Sequence, residues 1–176
     1  MADGVAGVVL RTDSLSKHFG GLAAVRDVSL ACCYGELHAV IGPNGAGKTT
    51  LINLLSGDLA PSAGRVTLAG TDITGLPAHR ISRLGIGRSY QKTNIFLPFT
   101  AFENCRLAAQ SRLQPSMRFF RPALAHRGTR DAAERALAMT GLEGRGGILA
   151  AALSHGEQRQ LEIAMTLATT PQFLLL

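Results

Sequence analysis

Residues Gly42-Pro43-Asn44-Gly45-Ala46-Gly47-Lys48-Thr49 place an ammonium and a hydroxyl directly behind a run of glycines. The glycines let consecutive backbone N–H groups turn toward one centre, and a helix opening near Lys48 adds the positive end of its dipole. Such a cradle suits the β-phosphate of a nucleotide. Lys48 brings a full charge to the β and γ oxygens, and Thr49, followed by Thr50, offers a hydroxyl to Mg2+, which takes hard oxygen ligands. The spacing is that of G-x-x-x-x-G-K-[ST]. Farther along, Leu153-Ser154-His155-Gly156-Glu157-Gln158-Arg159-Gln160-Leu161 sets a serine at the start of a second helix. With small Gly156 beside it, Ser154 can present a hydroxyl, N–H groups and a helix dipole to another anion, although read alone the fragment is first of all an ordinary helix cap.

These residues need elements that hold them. Short apolar runs predict strands at Val8–Leu10, Val28–Leu30, Leu37–Ile41 and Arg65–Ala69, the third breaking into the glycine-rich turn. Lys48–Ser56 repeats leucine at helical spacing until Gly57 stops it, and Pro77–Leu84 reads as a short helix closed by Gly85. A strand feeding a tight loop feeding a helix is the layout of a phosphate-binding α/β unit. From Thr100 the pattern turns helical, with a helix at Thr129–Thr140; another follows at about Glu157–Ala168, and Phe173–Leu176 reads as the beginning of a buried strand. The expected organisation is therefore an α/β core over residues 1–99, a helical subdomain over 100–152, and a third stretch, 153–176, that carries the serine motif, its helix and the strand.

The 176 residues, 46% hydrophobic and 17% charged, are enough for one domain with a real core and too apolar for a disordered chain. No stretch approaches the roughly 20 apolar residues that cross a bilayer, and the start lacks a signal-peptide pattern, so the expectation is a soluble chain that is not secreted. Cys32, Cys33 and Cys105 cannot all pair internally and are expected as reduced thiols; their spacing offers no zinc site. The net charge of +6 is local: seven arginines lie between Arg106 and Arg135, against Asp131 and Glu134. They could form a solvated helical face or meet an anionic partner.

A GTPase would carry Asn-Lys-x-Asp, and lysine occurs only at 17, 48 and 92, never after asparagine. The segment Leu153–Leu161 instead resembles the LSGGQ signature of the ABC (ATP-binding cassette) ATPases. In that resemblance Phe19, within Leu15–Gly21, matches the aromatic that stacks on adenine, with core packing as the lesser reading. Gln91 matches the glutamine that reaches Mg2+ and the attacking water. The runs Phe19–Val25, Thr49–Gly57 and Gln160–Ala164 look like the ATP-binding subunits of bacterial importers for branched-chain amino acids and related solutes such as urea or short amides. The resemblance implies an α/β fold of the P-loop NTPase (ABC ATPase) class, a mixed sheet with an inserted helical subdomain, its C-terminal part missing. It implies ATP and Mg2+ as cofactors, held by Phe19, Gly42, Pro43, Asn44, Gly45, Ala46, Gly47, Lys48, Thr49, Thr50, Ser154, Gly156 and Glu157. Lys48 and Gln91 would serve catalysis, and Thr49 and Gln91 the metal.

The implied partners are ATP, permease subunits, a second ATP-binding subunit and, indirectly, a periplasmic solute-binding protein, with no nucleic acid expected. The implied place is the cytoplasmic face of the inner membrane, held peripherally. Two departures stand out. His155 replaces the third letter of the signature and Glu157 the fifth, and a glutamate near a γ-phosphate would repel it unless it faces away or meets a cation. The Asp-Glu pair that the resemblance expects after the strand at Phe173–Leu176 does not occur within these residues, so the 176-residue chain is expected to be truncated before it and inactive in hydrolysis. A soluble ABC-type ATPase of another process and a non-catalytic nucleotide-binding fragment are the other readings.

Overall fold

The computed structural model describes residues 7–89, 94–113 and 127–176. The chain divides into two compact units that part between Ile86 and Gly87, with Leu175 assigned to the first and Leu176 to the second.

The first unit is built on β1 (Val8–Phe19), β2 (Leu22–Cys33), β3 (Ala63–Leu68) and β4 (Thr71–Asp72), an antiparallel sheet in the order β2-β1-β3-β4. β1 and β2 form a long hairpin whose last pair, Phe19 with Leu22, flanks the glycine turn, where Gly20 has φ 58°. They run twelve residues each, well beyond the apolar runs that announced them, because β1 is flanked on both sides and each added residue satisfies backbone groups. The hairpin register is interrupted, and side chains repair the ladder. Thr12 Oγ1 donates to Val28 O (2.9 Å) and accepts from Leu30 N (3.1 Å), and Ser16 Oγ accepts from Asp27 N (2.9 Å). Leu10, Leu15, Val66, Leu68 and Ile73 are buried in this unit, as are Leu51, Leu54 and Leu55 of α1 (Lys48–Ser56) and Ile81 of α2 (Ala78–Leu84).

The strand expected at Leu37–Ile41 is not formed. Leu37 is 95% and Ile41 90% exposed, and among the described residues no strand pairs with this segment. Hydropathy nominates a strand, but a strand exists only when a neighbour takes its N–H and C=O groups.

The second unit packs α3 (Ala101–Leu113), α4 (Arg127–Met139) and α5 (His155–Ala168) around one core. That core is mostly alanine, Ala101, Ala109, Ala132, Ala133, Ala136, Ala150, Ala164 and Ala168, with Leu137, Leu142, Leu153, Leu161 and Cys105. Small side chains let helix backbones approach closely, and burial pushes the Cys105 thiol up to about 12. β5 (Ile86–Arg88) pairs with β6 (Phe173–Leu175) in a separate two-stranded sheet. A 3-10 turn at Glu143–Arg145 follows α4, and a second at Ala150–Ala152 precedes α5. Among the described residues no helix is long and apolar enough to cross a membrane.

Candidate anion-binding helix termini

α1 begins at Lys48, where the glycine loop ends. Gly47 is its N-cap in the left-handed region (φ 85°), and no side chain caps the helix. The first intrahelical bond runs from Leu51 N to Gly47 O (2.8 Å), so the preceding N–H groups of the helix have no acceptor within it. The first turn holds no acidic residue. An uncapped helix start without local negative charge is ready to receive an anion.

Gly47 is required for two reasons. Its φ lies where side chains are strained, and a Cβ there would collide with Ala24 O of β2. This close approach seats the loop on the hairpin end that carries Phe19. Gly45 also has positive φ (86°), but a Cβ on it would meet nothing within 4 Å, so that side of the loop is open. Lys48 folds back over the loop, with Nζ donating to Gly42 O (2.6 Å) and Pro43 O (2.8 Å). Thr49 is exposed at the same helix start, with Thr50 half-buried behind it.

Phe19 is 51% exposed and is therefore not a core residue. The Lys17 ammonium lies 5.3 Å from its ring centroid and donates to Ala60 O at 2.8 Å. A cation over an exposed ring contributes about 0.5 to 1 kcal/mol and holds the ring in place.

Ser154 is the N-cap of α5. Its side chain accepts from Glu157 N (3.3 Å), while Glu157 Oε2 accepts from Ser154 N (2.8 Å), a reciprocal capping box. Intrahelical bonding starts at Gln158 N to Ser154 O (2.8 Å), so the N–H groups of His155 and Gly156 have no acceptor within the helix. A Cβ on Gly156 would meet nothing within 4 Å, so nothing among the described residues requires glycine there.

Glu157, the doubtful letter of the signature, does meet a cation. Its Oε1 lies 2.9 Å from Arg145 Nη2. The backbone N–H of Ser154, with Arg145 adding its charge, holds the carboxyl below the ordinary carboxylate range. Neither Arg145 nor the capping box figures in the sequence reading. The S-x-x-E spacing carried a signal for the box, but nothing in the sequence pairs residues 145 and 157.

Another missed residue is Asn104, fully buried, which accepts from Phe96 N (2.8 Å) and donates to Phe96 O (3.0 Å) and Thr100 O (3.0 Å). Of the clustered arginines, Arg112 donates to Thr169 O (2.9 Å) and to Thr170 O at the end of α5, and Arg130 pairs with Glu134 (2.9 Å). Gln91, Arg118 and Arg121 lie outside the described residues.

The structure thus brings the loop, Lys48, Thr49 and the Phe19 hairpin end together in the first unit, and Ser154, Gly156 and Glu157 together in the second.

The ABC transporter family model matches residues 25–176. BraF of Pseudomonas aeruginosa, a high-affinity branched-chain amino acid transport ATP-binding protein, is 38% identical over 173 residues, covering 96% of this chain and 68% of BraF. LivG of Escherichia coli K12, which bears the same description, is 38% identical over 176 residues with the same coverage, 96% and 68%. Among solved structures, an ATP-binding cassette of an ABC transporter in its ADP conformation superposes with a TM-score of 0.80 at 28% identity, covering 95% of this chain and 67% of that one. A nucleotide-free cassette gives 0.77 at 28% identity, with 95% and 67% covered.

Proposed function

The chain belongs to the ABC transporter family, and from that premise we propose that it is the ATP-binding subunit of an importer for branched-chain amino acids or closely related small polar solutes. Its fold is that of the ABC ATPases, and ATP is the ligand of that family. The solute follows from what BraF and LivG are described as serving. The observation that carries the nucleotide reading is the uncapped, acid-free start of α1 beneath Lys48.

In this reading the N–H groups at the start of α1 take phosphate oxygens, and Lys48 moves from the carbonyls of Gly42 and Pro43 to the β and γ oxygens. Phe19 stacks on adenine, with Lys17 fixing its ring. Mg2+ would neutralise charge on the phosphates, held by the Thr49 hydroxyl and by Gln91. The N–H groups of His155 and Gly156, with the Ser154 hydroxyl, face the γ-phosphate bound by a second cassette, so ATP closes a dimer head to tail. The helical stretch 100–152 docks on permease subunits at the cytoplasmic face of the membrane, where a periplasmic solute-binding protein delivers cargo.

Equilibrium titration with a fluorescent ATP analogue and Mg2+ tests the central claim. Lys48→Ala is expected to weaken binding by more than about tenfold, and unchanged affinity would remove the nucleotide reading. Uptake assays with the permease subunits, comparing leucine with urea, test the solute class.

A further inference from the structure

Glu157 carries a negative charge one turn into a helix whose start, on the reading above, receives a phosphate. A glutamine there would present no such charge. The structure resolves this conflict locally. One carboxylate oxygen accepts from Ser154 N (2.8 Å), and the other lies 2.9 Å from Arg145 Nη2, so both are engaged at the helix start. The Glu157 side chain is only 22% exposed, which limits how far water alone can screen it.

Arg145 itself is well anchored. It ends the 3-10 turn after α4, with Arg145 N donating to Leu142 O (2.9 Å) and Ile148 N donating to Arg145 O (2.9 Å). Leu142 N in turn donates to Leu137 O of α4 (2.8 Å), and the Leu142 side chain is 1% exposed. The guanidinium is thus delivered to the start of α5 from a fixed turn. Its charge offsets that of Glu157, and its hold on Oε1 keeps Oε2 on the Ser154 backbone, while among the described residues the serine hydroxyl proton has no acceptor.

We propose that Arg145 is a positioning residue for nucleotide-driven closure. It neutralises Glu157 and, through that carboxylate, sets Ser154 so that its hydroxyl and the adjacent N–H groups can take a phosphate. This rests on the reading that Ser154 faces the nucleotide of a second cassette.

The test is steady-state ATP hydrolysis by the chain assembled with its permease subunits and partner cassette, resolved into KM and kcat. Arg145→Ala is expected to raise KM for ATP about fivefold with kcat changed less than about twofold, and Arg145→Lys to stay near the parent. The decisive variant is Arg145→Ala combined with Glu157→Gln. If the arginine acts by offsetting charge, the double variant returns KM to within about twofold of the parent. If it only ties the turn to α5, the double variant remains as impaired as Arg145→Ala, and the proposal is overturned. Ser154→Ala, measured alongside, separates the two levels. A raised KM in Ser154→Ala with Arg145→Ala silent overturns the role of Arg145 and leaves the closure reading standing. A silent Ser154→Ala removes the closure reading and the present inference with it.

Discussion

At the scale of single residues, Asn104 and Gly47 show how different kinds of constraint hold the chemistry in place. Asn104 spends its whole amide on the backbone of residues 96 to 100, inside a core that excludes water. Replacing it with alanine strands the N–H and C=O of Phe96, and the expected cost is about 2 to 3 kcal/mol in a urea unfolding measurement. Gly47→Ala is expected to be harmful for another reason, a Cβ driven against Ala24 O from a left-handed backbone. Its signature is loss of nucleotide binding together with a lower melting midpoint, whereas Lys48→Ala loses binding with the midpoint nearly unchanged. Gly47 and Lys48 were legible in the sequence because a short contiguous motif encodes them. Asn104 and Arg145 were not, because their partners lie eight and twelve residues away and meet them only through the path of the folded chain.

At the scale of elements, the best-read helix was α1, found at Lys48–Ser56 as expected, because glycines bracket it and Gly57 caps its end in the left-handed region. The strand at Leu37–Ile41 was misread because a strand depends on a neighbour that an apolar run cannot specify. The starts of α3 and α5 repeat one device. Thr100 N and Oγ1 both donate to Glu103 Oε2 (2.8 and 2.9 Å) and Glu103 N donates back to Thr100 Oγ1 (3.1 Å), mirroring Ser154 with Glu157. Hydrogen bonds from the backbone N–H groups of Thr100 and Ser154 hold both carboxyls below their ordinary value of 4.5. Folding lowers these values, so their stabilisation is present above pH 4.5 and is lost as pH falls through the lower folded values. The melting midpoint should therefore drop on acidification from about pH 5 to about pH 3. The pair of changes Glu103→Gln and Glu157→Gln should flatten that slope in a series of calorimetric scans, and an unchanged slope would place the pH sensitivity elsewhere.

At the scale of the molecule, the chain keeps its two anion-ready helix starts in separate compact units, α1 in the first and α5 in the second. The tight alanine core of the second unit and the unpaired ribbon at 37–41 predict unequal protection in the 176-residue polypeptide. Hydrogen exchange should find the amides of Leu37–Ile41 nearly unprotected and those of Ala132–Leu137 and Leu161–Ala168 among the slowest, and strong protection across Leu37–Ile41 would mean that the ribbon is paired in solution. The pairing of β5 with β6 was not readable from the sequence, since three-residue strands carry almost no pattern. Lys48 adds a consequence for the energetics of loading. Its ammonium is already housed by two carbonyls of its own loop, so an arriving triphosphate swaps old partners for new ones instead of rescuing a bare cation. The heat released at that contact should be modest, and affinity should owe much to water and counterions set free.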